Sequence, residues 1–509
     1  MLKIFVDSEQ FEEVKSIIQH IERLDEVVSV QEKNAQNEPN EDFGFLSVHK
    51  HKIHLPLDWA NHLPPYLFPF SLDFTQNNVL ALAFMLLGNY EKAYQFASSN
   101  ETLLQDIDMM NCLQHGVPFM LDLENSVIES DEEQYRFYHN AAIKAHYGEL
   151  NHFFHVSNTK NLYKKAIELA PNDEYKAFSA KHLATLLLDL DELRLADEFL
   201  QRTLALNISD WAKMELLTLC NSLWMKQLVV PYDTDLLEKI KQNLAELLQF
   251  YEARGAKISV ALLLIDASHI ANITNSFTES LGYISKAIHL LEEENLPEFL
   301  GNAQFRKGTL LFTWAQNGNP QFYKGAMEAY QQACKVFTKE NHPAVFAEIH
   351  GYLGVIYSEI PDEAKKKGIW AAVSTSSFKE ALSYFTRETH LYEYAMLCNN
   401  YANALTKFPS GVLTDNYAKA MEFYEEALEI RNAIEFPYER ALTLLNYLEA
   451  CWYVSQDESE QAQQALYQKM LAAASEIENL VDDSALITCA NEHLVRLKEL
   501  AEINDFVNR

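Results

Sequence analysis

Three imidazoles crowd the segment His49-Lys50-His51-Lys52-Ile53-His54, and neutral imidazole nitrogens are common metal ligands. No cysteine or carboxylate stands beside them, so an exposed strand bearing lysine and histidine is the plainer reading. His139, His146, His152 and His155 recur at spacings of 7, 6 and 3, which would put some of them on one helical face. Packing or surface positions explain them more simply. Cys451 lies beside Trp452 within a helical pattern, where a buried, inert thiol is the usual finding. Carboxylate pairs such as Glu425–Glu426 follow from 73 acidic residues and read as solvated helix faces. The sequence contains no phosphate loop, no HExxH, no GxSxG and no CxxC. It therefore offers no catalytic, cofactor or metal site, and the expectation is a protein that is not an enzyme.

The elements that would position any site are helices. With 14 glycines and 14 prolines in 509 residues, turn-formers are scarce, which favours long helices over many short strands. The net charge of −32 opposes phosphate backbones and anionic lipid, excluding nucleic acid and membrane surfaces as natural partners and favouring a protein or peptide with basic segments. Six scattered cysteines fit reduced thiols. The start, MLKIFVDSEQFEEV, lacks the features of a signal peptide, and the longest apolar runs, Val79–Leu87 and Val260–Ile265, are too short to span a bilayer. A cytoplasmic location is expected.

Internal repetition decides the architecture. A bulky residue stands three places before an alanine in Tyr163…Ala166, Ile284…Ala287, Tyr330…Ala333, Phe378…Ala381 and Tyr424…Ala427, with a weaker copy at Leu200…Thr203. The last four alanines are 46, 48 and 46 residues apart. Ten residues beyond each come Pro297, Pro343, Leu391 and Pro437; then Gly301, Ala347, Ala395 and Ala441; then Gly308, Gly354, Ala402 and Leu448. Small residues at fixed places let paired helices approach, and a large residue one turn away fills the groove. Such pairs must stack on one another to bury their apolar faces.

In these residues the chain resembles the tetratricopeptide repeat (TPR) family. LYKKAIELAPND, with Tyr163, Ala166 and Pro171, matches the end of the motif; Leu353-Gly354 and Tyr357 match its first helix; Tyr90 and Ala93 match the start of its second. The long period is similar to that of kinesin light chains and of bacterial arrays accompanying caspase-like CHAT proteases. The resemblance covers roughly residues 80–455, least regularly over 207–275. It implies an all-α, TPR-like α-solenoid, a right-handed superhelix of antiparallel helix pairs. We expect a small mixed α/β cap over 1–75, irregular repeats over 76–275, lengthened repeats over 276–455 and capping helices over 456–509. In the cap, strands are expected at Leu2–Val6, Val27–Val30 and Phe45–Ile53, a loop at Asn34–Glu41, and a capping box of Asp7 and Gln10 before a helix. Residues 56–75 read as a packed linker. Stretches 316–321, 361–376 and 408–416 read as insertions within helix pairs, serving as binding edges or as tolerated loops.

The resemblance further implies ligand binding in a groove lined by first helices, at fixed offsets from the small residue. Around Gly308 these select Phe305, Thr309 and Thr313; around Gly354, Gly351, Val355 and Glu359; around Ala402, Asn399, Asn403 and Lys407. Asn399 and Asn403 share a helical face and could bond a peptide backbone, or each other's neighbours. Asn403 and Lys407 match part of the family's carboxylate-binding pattern, but Gly351 and Phe305 stand where further basic residues belong. The function expected is a scaffold or adaptor holding a partner segment. The alternative is a ligand- or peptide-sensing regulatory subunit of a bacterial signalling or defence system, acting on a separate effector.

Overall fold

A computed structural model describes residues 1–33, 45–59, 61–119, 130–148, 156–229, 232–409, 415–454 and 459–504. The loop expected at 34–41, together with His152 and His155, lies outside the described residues. The architecture is TPR-like: packed antiparallel helix pairs, with a small sheet at the N-terminus. The chain divides into two compact units, Met1–Gly255 and Ala256–Arg509.

The first unit opens with a five-stranded sheet in the order β2-β1-β3-β4-β5. Strands β1 (Leu2–Val6), β2 (Val28–Glu32) and β3 (Phe45–His49) run parallel, with Leu2 opposite Val28 and Ile4 opposite both Val30 and Leu46. Helix α1 (Phe11–Gln19) crosses between β1 and β2 and buries Val14, Ile17 and Ile18 against the sheet. The capping box is not formed. Gln10 is the N-cap without a side-chain bond, because the Asp7 carboxylate turns away to His49 Nδ1 (2.7 Å) and the Lys50 N–H (3.2 Å). The single strand expected at 45–53 is a hairpin. Lys50 (φ 50°) and His51 (φ 60°) take the left-handed conformation that a tight two-residue turn demands, and β4 (Lys52–His54) returns antiparallel. Strand β5 (Leu72–Asp73) closes the sheet.

Helices then fill both units. In the first lie α2 (Gln76–Leu86), α3 (Tyr90–Ala97), α4 (Glu101–His115), α5 (Asp131–Tyr147), α6 (Val156–Leu169), α7 (Asp173–Asp189), α8 (Leu193–Leu204), α9 (Asp210–Lys226) and α10 (Thr234–Ala253). Their starts follow local chemistry: Thr75, Asn89, Asn100, Ser130, Asn172 and Ser209 each accept the backbone N–H three residues on. The first helices of successive pairs, α5, α7 and α9, lie side by side.

The second unit pairs α11 (Lys257–Ile273) with α12 (Phe277–Glu294), α13 (Pro297–Gln316) with α14 (Tyr323–Ala333), α15 (Pro343–Glu359) with α16 (Ala364–Tyr384) and α17 (Leu391–Leu405) with α18 (Asn416–Ile430). Helices α19 (Pro437–Cys451), α20 (Glu460–Ile477) and α21 (Ser484–Asn504) follow. The repeat columns have a direct packing meaning. Ala287, Ala333, Ala381 and Ala427 are all wholly buried on second helices. A Cβ on Gly308 would lie 2.8 Å from the Tyr330 ring, and one on Gly354 would lie 2.8 Å from the Phe378 ring. In these two pairs the aromatic residue three before the anchor thus seats on the small residue of its partner helix. Prolines 297, 343 and 437 occupy the first helical turn, where the lost N–H costs no bond.

One expected insertion is instead helix. Residues 364–376 form the first half of the continuous α16, pinned where Trp370 stacks on Tyr357 (5.6 Å) and donates to Asp362 (3.0 Å). At 316–321 a turn with Gly318 at φ 88° and a short 3-10 stretch does join two helices. Of 408–416, residues 410–414 lie outside the described residues.

Candidate functional site

The predicted first-helix face separates into a packed part and an open part. On α13, Phe305 sits edge-on to Tyr330 (5.7 Å) and Tyr352 (6.2 Å), so its ring serves helix packing. Thr309 Oγ1 donates to Phe305 O and lies 3.1 Å from Tyr330 Oη, while Thr313 Oγ1 donates back to Thr309 O. Val355 on α15 is half-buried between neighbouring clusters, and Gly351 is closed over by Leu397. These four side chains, all partly buried, are engaged in packing or in hydrogen bonds of the helices themselves.

The open part gathers around the end of α17. Lys407 pairs with Glu359 across α15 and α17. Asn403 Oδ1 accepts the Tyr424 hydroxyl at 2.6 Å, and buried Asn399 accepts from Asn446 Nδ2 at 3.4 Å. Both asparagines are therefore partly committed to neighbouring helices, as the packing reading of the pair expects. A cleft of about 400 Å³ is lined by Asn403, Lys407, Tyr417, Asn446, Glu449 and Tyr453. A second, of about 350 Å³, is lined by Glu359, Asp362, Lys367 and Trp370, again with Lys407. Tyr453 is 58% exposed and stacks on Tyr417 (5.3 Å). Sequence reasoning missed Asn446, Glu449, Tyr453 and Trp370. For two of them the signal was present: Glu449 and Tyr453 stand one and five after Leu448, the same offsets that select Asn403 and Lys407.

The first unit shows what a first-helix face of this protein holds. Residues 55–59 and 61–70, rich in proline and aromatic residues, run across α5, α7 and α9. Asn140 clamps the backbone of Leu67, accepting its N–H and donating to its carbonyl, both at 2.8 Å. His139, wholly buried, donates from Nε2 to Pro65 O (2.8 Å) and accepts Ser179 Oγ–H at Nδ1 (2.8 Å). Lys181 Nζ reaches Asn61 Oδ1 (2.8 Å) and Glu215 (2.8 Å). Tyr66 donates to Asp106 (2.7 Å), which Arg136 neutralises at 3.3 Å. Trp59 and Phe178 meet edge to face at 5.2 Å. Nothing in the composition of α5 or α7 marks these residues; their partners are some 30 to 120 positions away and become visible only in the fold.

Burial pushes the His139 imidazole down to about 4, since its charged form would lack water. A histidine so depressed gains its proton first in the unfolded chain. The stability it contributes is thus complete above about pH 6.5 and is lost as pH falls towards 4, by about 3 kcal/mol. His182 shifts in the same direction. Urea unfolding followed at pH 7 and pH 5 should show this loss, and His139→Gln should flatten the slope; parallel pH dependence in both proteins would refute it.

The histidines of the 49–54 segment do not converge. His49 meets Asp7, His51 lies 3.4 Å from Gln10, and His54 meets Phe70 O (2.9 Å). Burial pushes the thiols of Cys220, Cys398 and Cys451 up to about 12, which suppresses the thiolate needed for nucleophilic attack. Among the described residues, no helix is long and apolar enough to cross a membrane.

No family model matches the chain, and no curated protein matches its sequence. Among solved structures, it is similar to the APC/C hetero-tetramer Cut9-Hcn1, with 13% identity over 83% of this chain and 84% of that one and a TM-score of 0.35. Yeast Tom70 gives 12% identity over 83% and 82%, with a TM-score of 0.32. The P58(IPK) TPR domain gives 14% over 84% and 98%, with a TM-score of 0.23. At these scores the superpositions are loose; the helix pairs and columns above stand on the chain's own geometry.

Proposed function

We propose that the protein is a non-catalytic scaffold that holds an extended partner segment on the first-helix face of its second unit, around Asn403, Lys407, Asn446, Glu449 and Tyr453. The observation that carries this reading is the clamp in the first unit. There, Asn140 binds a backbone N–H and carbonyl together, so side-chain amides of first helices hold extended chain without regard to its side chains. The second unit presents two amides, Asn403 and Asn446, at an open cleft beside an exposed tyrosine. Glu359, Asp362 and Glu449 line the clefts together with Lys367 and Lys407, so the local charge is mixed; the net charge of −32 is what favours a partner carrying basic side chains over an acidic one.

Photocrosslinking from p-benzoylphenylalanine at Tyr453 and at Thr406 should capture the same protein. The same probe at Glu422, on the exposed side of α18, should not. Glu449→Lys should cut the yield at least threefold, on the order of one rim charge reversal. Equal capture from all three positions would remove the support for this face.

A further inference from the structure

The first unit contains a cavity of about 660 Å³, within the range of sites that enclose a drug-sized molecule. One wall is formed by Leu55–Trp59, His62 and Leu63, the facing wall is the C-terminal end of α2, and the remainder comes from Gln114 and the starts of α7 and α9. Leu57, Leu63, Met85 and Leu87 give it an apolar lining.

Asp58 and Glu174 line it together with the His62 imidazole, and no lysine or arginine does among the described residues. Glu174 is held in place by the Ser209 N–H (2.9 Å) and hydroxyl (2.6 Å). Asp58 Oδ2 accepts the Leu63 N–H at 2.7 Å, while Oδ1 is buried with no hydrogen-bond partner among the described residues. A buried carboxylate oxygen without a hydrogen bond is costly unless a nearby charge compensates it. Burial raises the Asp58 carboxyl above its ordinary range, outweighing the opposing pull of the Leu63 and His62 backbone N–H groups and of nearby His62 and Lys181.

We propose that this cavity is a binding site for a small organic cation, an apolar body carrying one ammonium group that seats against Asp58 with Glu174 as the second negative charge. The site is independent of the partner face of the second unit, and neither reading depends on the other. An anionic ligand of the same shape meets two carboxylates and is rejected. A neutral one fills the apolar walls but makes no charge pairing with Asp58.

Fluorescence titration of the full chain tests this with dansylcadaverine, an aromatic body on a pentylammonium tail, against dansyl-aminohexanoate, its carboxylate counterpart. The ammonium probe should bind saturably with blue-shifted emission, and the carboxylate probe roughly tenfold more weakly, the scale of one partly desolvated charge pairing. Asp58→Asn should narrow that ratio. Leu87→Trp, at a residue 36% exposed and therefore tolerant of bulk, should fill the cavity and abolish binding. Leu55→Trp serves as a second filling variant, and circular dichroism checks the fold of each. Equal binding of the two probes, unchanged binding in the folded variants, or no saturable binding of either probe would overturn the proposal.

Discussion

Replacing Lys181 with methionine is expected to remove about 3–5 kcal/mol from the stability of the first unit, the usual cost of stripping one partner from a buried ion pair. Lys181 and Glu215 are 6% and 8% exposed, and their charges meet at 2.8 Å. The second oxygen of Glu215 accepts the Tyr251 hydroxyl at 2.6 Å, and Asn61 bonds both members of the pair. Methionine matches the lysine stem in volume but leaves the carboxylate without its counter-charge in a dry site. The effect should therefore depend on Glu215. In Lys181→Met/Glu215→Gln the uncompensated charge is gone while an acceptor for Tyr251 remains, so the double variant should be more stable than the single one by about 1–2 kcal/mol. Denaturant midpoints with unchanged slope would report this. A single variant costing under about 1 kcal/mol, or strictly additive costs, would show that the pair contributes as a surface pair does.

Gly354→Val is expected to destabilise the second unit by about 3 kcal/mol, at the upper end of overpacking costs. Three atoms of the Phe378 ring already lie 2.8 to 2.9 Å from where a Cβ would stand, and Phe378 is wholly buried. The ring cannot withdraw without opening a void against Tyr401, on which it stacks at 4.9 Å. Phe378→Ala alone should cost about 3–5 kcal/mol by leaving a cavity. Combined with Gly354→Val, the total should fall well short of the sum, because each change relieves the other's defect. Gly282 provides the contrast. Nothing lies within 4 Å of its would-be Cβ, so Gly282→Ala should stabilise by up to about 1 kcal/mol through helix propensity. Thermal midpoints that move in the same direction for Gly354→Val and Gly282→Ala would refute the claim that the small-residue column exists for close approach.

These two expectations mark different degrees of legibility. The Gly354–Phe378 contact is encoded in spacing: small residue, turn and bulky residue recur in each copy, and the two helices of a pair are neighbours in sequence as in space. The Lys181–Glu215–Asn61 network is not, since its members are brought together from residues 61, 181 and 215. The same distinction runs through the candidate site. The offset rule finds Asn403 and Lys407, and extended by one copy it finds Glu449 and Tyr453. It also selects Phe305, Thr309 and Val355, which are partly buried against neighbouring helices, because an offset fixes which way a residue points and not what lies opposite.

By itself the sequence determined the all-helical pairing, the identity of the close-contact residues and the direction of the first-helix face, since each follows from periodicity within two adjacent helices. Tertiary structure alone decided the rest: that residues 55–59 and 61–70 occupy the first-helix face of the first unit, that His49, His51 and His54 disperse to separate partners, and that residues 364–376 extend a helix. Each of those outcomes turns on contacts between segments whose separation in sequence carries no periodic signal, and burial selects among them only when the whole unit has formed.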